Sequence, residues 1–152
     1  MSRYLTERAQ LVRRAMDRGI AAIADDPAAV NESAAMLRDW APGTAEAPVE
    51  HAAGQVLRHG GAPYKCVQAH THRGEPGYEP SPDSALWMQY HGTSPETARP
   101  YYMRDASTVY MAGEYMIWTD GQVYRCAQDR AAYSPDALPG AWEVVESGEG
   151  RV

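Results

Sequence analysis

The chain has 152 residues, 44% of them hydrophobic and 22% charged, which suits one ordinary soluble domain or two very small ones. Its formal charge of −6 argues against nucleic acid as the main partner, because phosphate binding requires clustered Lys and Arg. No apolar run approaches the ~20 residues that cross a bilayer, so we expect no membrane insertion. The opening MSRYLTERAQ has no apolar signal core, and we expect no classical secretion.

The first 40 residues predict a helical hairpin. From Thr6, as N-cap, TERAQLVRRAMDRGIAAIA repeats apolar residues at helical spacing and ends at DDP. Asp26 and Pro27 predict the start of a second helix that runs to Trp40. Because short helices are marginal in water, this hairpin must pack on the chain itself or act as a docking and oligomerisation element. We interpret its basic cluster as a solvated helix face rather than a nucleic-acid arm: Arg8, Arg13, Arg14 and Arg18.

After Trp40 the sequence predicts two copies of one β module. The copies share the pattern Gly-x-x-Tyr-basic-Cys-x-Gln, in GAPYKCVQ and again in GQVYRCAQ. Further matched positions are Gly54 with Gly113, Gly61 with Gly121, Tyr64 with Tyr124, Cys66 with Cys126, Gln68 with Gln128 and Trp87 with Trp142. A repeat that keeps its turn glycines and its closing Trp while a loop varies is typical of duplication. We predict modules at 41–91 and 110–152, joined by a linker at 92–109.

Each module predicts a hairpin and a third strand. Alternating residues flank Gly60–Gly61 in the first copy and Asp120–Gly121 in the second, which indicates hairpin turns. The closing Trp of each copy begins a predicted third strand, which pairs with the hairpin of the same copy. The predicted fold class is therefore α+β, a helical hairpin followed by two antiparallel modules of about three strands each. The cysteines, Cys66 and Cys126, occupy equivalent places, and we expect buried thiols, with a disulfide between them as the alternative.

Several residues of the first copy occur in a recognisable order: Gly54-Gln-Val, Gly61-Ala-Pro-Tyr64-Lys-Cys66, His70-Thr71, Pro80, Pro82 and Leu86-Trp87. This order resembles the carbohydrate-binding modules of families five and twelve, which have the chitin-binding type 3 fold. The second copy is similar through Tyr110, Gly113, Tyr124, Cys126 and Trp142, but has Asp129-Arg130 in place of His-Thr. The first copy departs at the leading aromatic, where it reads PVEHAAG. The resemblance covers roughly residues 40–146 and implies that His70 is structural.

A second resemblance concerns the order of the whole chain. A helical lead, the junction Trp40-Ala-Pro-Gly43 and then YKCVQAHT and PSPDSALW are similar to small structural proteins of tailed bacteriophages. HGTSPETARPYYMRDAS is like the linker that such proteins carry before a second module. This resemblance implies a virion location, assembly in a bacterial cytoplasm, homo-oligomers and contacts with other virion proteins.

The sequence contains no catalytic constellation, and we expect no enzyme and no cofactor. His70 and His72 lie two apart on a predicted strand, so a metal pair with Glu75 or Glu79 is an alternative to structural roles. Neither Asp25–Asp26 nor Glu143–Glu146 is placed in a cleft. Ser81 and Ser134 precede Pro, which is typical of turns rather than nucleophiles.

Loop aromatics are the candidate glycan contacts, because sugar rings stack on exposed aromatic side chains: Tyr78, Trp118, Tyr133, Tyr101 and Tyr102. We interpret Tyr64, Tyr124, Trp87 and Trp142 as core residues. The predicted function is a non-enzymatic virion structural protein, of a tail tip, baseplate or capsid decoration, with a host-glycan role. The alternative is a free-standing chitin- or polysaccharide-binding protein, or an accessory module of a glycan-degrading system.

Overall fold

The computed structural model describes residues 3–106 and 108–145. It is a mixed α+β fold, as predicted, with one long helix and mostly antiparallel strands in small sheets. The chain divides into two compact units, residues 1–90 and 91–152. Parts of four predictions lie outside the described residues: positions 1–2 of the helical element, position 107 of the linker, the end of the second module from 146 onwards, and Glu146 of the carboxylate pair. None of the described helices has the length and apolar character needed to span a bilayer.

Helix α1 covers Arg3–Ala22 and begins before the predicted Thr6 cap. Arg3 and Glu7 form an ion pair of 3.0 Å one turn apart, which supports this earlier first turn. Helix α2 covers Pro27–Glu32, and its N-cap is the predicted Asp26, whose carboxylate accepts the Ala29 N–H.

Helix α2 ends well before Trp40, because the backbone that follows is used by a strand. A single 3-10 turn spans Ala34–Met36. The Arg58 N–H then donates to the Arg38 carbonyl at 2.8 Å, and the Trp40 N–H donates to the Arg58 carbonyl at 2.8 Å. A backbone that pairs with a strand cannot continue a helical ladder. The helical pattern at Met36 and Leu37 was therefore overridden by pairing with Arg58.

Within residues 3–90 the first unit has five strands in two sheets. They are β1 (Val49–His51), β2 (Val56–His59), β3 (Ala62–Cys66), β4 (His70–His72) and β5 (Trp87–Gln89). The larger sheet has the order β2-β3-β5, and β1 pairs with β4; all pairs are antiparallel. The predicted hairpin and third strand are β2, β3 and β5.

The two faces of the β2-β3-β5 sheet are covered differently. One cluster joins the sheet to the helices through Ile20, Val30, Leu37, Val56 and Tyr90. The other face carries Leu57, Ala62, Tyr64, Cys66 and Trp87, with Trp40 and Leu86 against them. Alternation along β2 explains the division, because Val56 and Leu57 point to opposite faces.

In the part of the second unit that the structure describes, four strands form one sheet of order β6-β7-β8-β9. They are β6 (Arg99–Pro100), β7 (Tyr115–Ile117), β8 (Val123–Cys126) and β9 (Trp142–Val144). The pair β6–β7 is parallel and the others are antiparallel. Strand β6 lies in the segment predicted as a linker. The core cluster is Tyr110, Met116, Cys126, Ala131, Ala141 and Trp142.

Both hairpin turns have the backbone that the sequence predicts. Gly60 and Gly61 have φ of 59° and 81°, as a two-residue type I′ turn requires. Gly121 has φ of 80°, and the Gly121 N–H donates to the Trp118 carbonyl at 2.9 Å. The segment from Gly113 to Gly121 is one residue longer than the matched segment from Gly54 to Gly61, which makes the second hairpin loop longer than the first.

Candidate functional site

A buried tryptophan organises each unit in the same way. The Trp87 indole N–H donates to the Tyr78 carbonyl at 3.2 Å, and the Trp142 indole N–H donates to the Tyr133 carbonyl at 3.0 Å. Each Trp also pairs across the sheet with a cysteine, Cys66 or Cys126. Tyr78 and Tyr133 are therefore equivalent positions, and the signal that could have shown this in the sequence is their identical spacing of nine residues before the Trp.

Cys66 and Cys126 have the same environment in the two units. Each thiol is buried and free, and donates to the carbonyl two residues on, at 3.2 Å to Gln68 and 3.0 Å to Gln128. Burial raises the pKa of both thiols above the ordinary value. The expectation of buried, reduced thiols is confirmed, and the alternative Cys66–Cys126 disulfide is not present.

His51 occupies the leading aromatic position that the first copy lacks in the sequence. Its ring lies edge-on to Trp87 at 5.1 Å, as the Tyr110 ring lies edge-on to Trp142 at 5.2 Å. His51 pairs with His70, and Tyr110 forms a bridge with Ala131. Arg130, with φ of 58°, lies in the segment from Cys126 to Ala131, which is one residue longer than the equivalent segment from Cys66 to His70.

The equivalent tyrosines differ in exposure. Tyr78 is half-buried, with its ring 6.0 Å from that of His70 and 5.6 Å from that of His72. Tyr133 is 61% exposed, and no ring contact among the described residues involves it. The residues that cover Tyr78 are the His70-x-His72 pair, which the second copy replaces. Tyr133 is thus the most accessible of the predicted glycan contacts.

The other predicted contacts are half-buried. Tyr101 and Trp118 meet at 5.1 Å with their planes 85° apart, so they do not form one flat platform. Tyr101 instead stacks on Tyr110 at 5.3 Å and 10°. The Tyr102 N–H donates to the Tyr110 hydroxyl at 3.1 Å, so the Tyr102 backbone holds the ring on which Tyr101 stacks.

Tyr124 was interpreted as core in the sequence, but its hydroxyl lies at the hairpin tip. It donates to the Asp120 carboxylate at 2.8 Å, and Asp120 also accepts the Gln122 N–H at 2.9 Å. These backbone and side-chain hydrogen bonds lower the pKa of Asp120, the backbone one most. Trp118 and Tyr124 lie on one face of the β7–β8 hairpin, because Met116, two residues before Trp118, pairs with Tyr124. The tip therefore combines two aromatic rings with a carboxylate and an amide.

The histidines of β4 have structural partners. The His72 Nδ1 accepts the Gly43 N–H at 2.9 Å, and the His72 Nε2–H donates to the Glu75 carbonyl at 3.0 Å. The His70 Nδ1–H donates to the Gln68 carbonyl at 2.7 Å. Among residues 3–106 and 108–145, no group of three or more His, Cys, Asp or Glu side chains is arranged to hold a metal ion.

The remaining polar candidates lie in caps, turns and surface pairs. Asp25 pairs with Lys65 at 3.2 Å, and Glu143 pairs with Arg125 at 3.4 Å. The Ser81 carbonyl accepts the Ser84 N–H, and the Ser134 carbonyl accepts the Leu138 N–H, so both serines lie in turns as predicted. These contacts are structural, and none brings an acid and a base together around a cleft.

Sequence reasoning also missed one buried pair. The His91 Nδ1 lies 3.0 Å from the Glu114 carboxylate, and the His91 ring stacks on Tyr110 at 3.7 Å. Glu114 also accepts the Met111 N–H at 2.8 Å. His91 fell within the segment interpreted as the end of the first module, so only the fold could bring it to Tyr110.

Helix α1 presents a second kind of surface. Along residues 3–15 no described side chain is buried, and only Arg13 is half-buried. Leu5 is 52% exposed, Leu11 56% and Val12 58%. Only the end of the helix packs, where Ile20 enters the cluster with Val30. The first two-thirds of α1 therefore keeps most of its described side chains exposed.

Comparison with known proteins gives one short similarity. No family model matches the chain. A segment of 50 residues is 46% identical to streptogrisin-C of Streptomyces griseus. That segment is 33% of this chain and 9% of streptogrisin-C, so the chain spans less than a tenth of the length of this curated relative. The match is too partial to decide whether the chain is an enzyme.

Proposed function

We propose that the chain is a non-enzymatic structural protein of a bacteriophage virion, in a tail tip, baseplate or capsid decoration. In this proposal a helical lead docks the chain into the particle, and two small antiparallel β modules follow it. The observation that carries the proposal is the exposed apolar surface of α1, with Leu5 and Val12 more than half exposed. A folded chain rarely keeps such a helix without a partner for it, because a lone helix gains little stability in water.

The β modules supply the proposed contact with host glycan. Tyr133 is open to solvent while its backbone is held by Trp142, so its ring can stack on a sugar with little loss of conformational freedom. The hairpin tip adds the Trp118 ring, the Tyr124 hydroxyl and the Asp120 carboxylate. The hydroxyl and the carboxylate can form hydrogen bonds with the hydroxyl groups of a polysaccharide. The equivalent Tyr78 is covered by histidines, which favours the second module as the binding one.

The competing candidate is a free-standing chitin- or polysaccharide-binding protein, favoured by the same exposure of Tyr133. The test is to purify particles on a density gradient from the cells that produce the chain and to identify their proteins by mass spectrometry. We expect the chain in the particle fraction. Recovery only in the particle-free fraction, with retention on chitin, would establish the free-standing alternative.

A further inference from the structure

The apolar residues of α1 follow the seam of a coiled coil. Leu5, Val12 and Gly19 alternate with Ala9 and Met16 at spacings of four and three residues. In heptad notation the first three occupy d positions and the other two occupy a positions. This seam is exposed at four of its five positions, since Leu5 and Val12 are more than half exposed, Ala9 is exposed and a side chain at Gly19 would meet nothing within 4 Å, whereas Met16 is half-buried.

The charges beside this seam are positive. Arg8 occupies a g position and Arg13 an e position, and in a parallel homodimer g and the next e of the partner face each other. Two copies of α1 would therefore place Arg8 against Arg13 of the other chain. Asp17 already binds both Arg13, at 3.1 Å, and Arg38, at 2.9 Å, so one carboxylate serves two guanidinium groups.

The charge of the helix as a whole favours an acidic partner. With five Arg against one Glu and one Asp, α1 carries +3, although the chain carries −6. No other described helix exceeds six residues, so the described part of the chain offers no helix to cover it. We propose that the seam of α1 binds an amphipathic helix of a different protein, with apolar a and d positions and Glu or Asp at its e and g positions. This inference rests on the proposed docking role of α1 and names its partner chemistry.

A narrow seam also favours a helix over a lipid surface. Ala9 is small, so a second helix can approach closely between Leu5 and Val12, and Gly19 allows a close approach at the end of the seam. Binding in a membrane interface instead requires a broad apolar face, commonly with Trp or Phe, and the described side chains of α1 include neither. Anionic lipid is therefore an outcome for the test to exclude.

The test uses the full chain and two synthetic heptad peptides with Leu at every a and d position. One peptide has Glu at e and g, and the other has Lys. We expect the Glu peptide to bind, more weakly as salt rises from ~50 mM to ~500 mM, and the Lys peptide not to bind. Val12→Glu should weaken binding at least about tenfold, which is ~1.4 kcal/mol.

The matched control is Leu11→Glu. Leu11 is as exposed as Val12 but occupies a c position outside the seam, so this variant should keep binding within about twofold. Failure of the Glu peptide to bind would overturn the inference, as would equal binding of both peptides or stronger binding to phosphatidylglycerol vesicles. A mass of two or more chains by light scattering, reduced to one by Val12→Glu, would also overturn it in favour of self-association. If the peptide fails while Val12→Glu still removes the chain from particles, the partner is wrong and the docking role stands.

Discussion

At the scale of single residues, we expect Tyr133 to contribute to glycan binding and the equivalent Tyr78 to contribute to the stability of the fold. Tyr133→Ala should reduce retention on chitin or on the host polysaccharide by about tenfold, while leaving the free energy of unfolding within ~0.5 kcal/mol, because this ring is 61% exposed. Tyr78→Ala should leave retention unchanged and lower the free energy of unfolding by ~1–3 kcal/mol, since its ring packs on His70 and His72. Polysaccharide pull-down measures the retention of each variant, and guanidinium unfolding measures its free energy of unfolding. Retention that survives Tyr133→Ala would remove this residue from the proposed site.

The environment of His51 predicts how the free energy of unfolding depends on pH. Burial lowers the pKa of His51 below its ordinary value of 6.5, although the hydrogen bond to Gln55 opposes this. The Nδ1–H donates to the side-chain amide oxygen of Gln55 (Oε1) at 2.8 Å, so protonation at Nε2 would place a buried charge beside His70 and His72. A depressed pKa means that the stabilisation is complete above pH 6.5 and is lost as pH falls through the folded-state pKa.

The measurement compares the free energy of unfolding at pH 7.5 and pH 5 in the wild type and in His51→Phe. Phe keeps an aromatic ring against Trp87, as Tyr110 does against Trp142 in the second unit. We expect the wild type to lose more stability than the variant over this range, because carboxylates titrate in both proteins and His51 only in one. Identical losses in the two proteins would contradict the assignment.

At the scale of elements, the β7–β8 turn depends on one glycine. Gly121 has φ of 80° and open space around its Cβ position, so any cost of a side chain comes from the backbone alone. Gly121→Val should lower the free energy of unfolding by at least ~1–2 kcal/mol. Gly140→Ala is the control, since that glycine also has open space but no left-handed φ. A thermal melt of Gly121→Val that matches the wild type would contradict this account of the turn.

The sequence predicted elements where the signal is local. Turn glycines, the Asp26 cap and the strand after each Trp depend on neighbouring residues, and all three are present. It did not predict that the second helix stops before Trp40, because Arg38 and Trp40 make backbone hydrogen bonds to Arg58, a residue far along the chain. Strand β6 was missed for a similar reason, since its two residues have no strand pattern of their own and are extended because they pair with β7.

The candidate site shows the same limit. Loop aromatics were found from residue type, but exposure separates Tyr133 from Tyr78, and exposure depends on what His70 and His72 cover. His51 was overlooked because its role is defined by its contact with Trp87 and not by its residue type. Asp120 was seen as a turn residue, and its hydrogen bond to the Tyr124 hydroxyl required the register of the hairpin.

At the scale of the whole molecule, the chain joins a basic helix with an exposed seam to two β units, one burying Trp87 and the other Trp142. The predicted homo-oligomer stays a prediction, and the arginines beside the seam argue against α1 as its contact. Residues 1–40 cannot be deleted to test docking, because Ile20, Val30 and Leu37 belong to the core of the first unit. Point changes on the exposed part of α1 are the better probe.

The most direct measurement is particle incorporation of Leu5→Glu and Leu11→Glu, compared with the wild type on a density gradient. The two leucines are exposed to 52% and 56%, and both changes add one negative charge, so only position relative to the seam differs. We predict that the wild type and Leu11→Glu fractionate with particles and that Leu5→Glu remains in the particle-free fraction. Equal incorporation of all three proteins, or none of them in particles, would contradict the claim that α1 docks this chain into a virion.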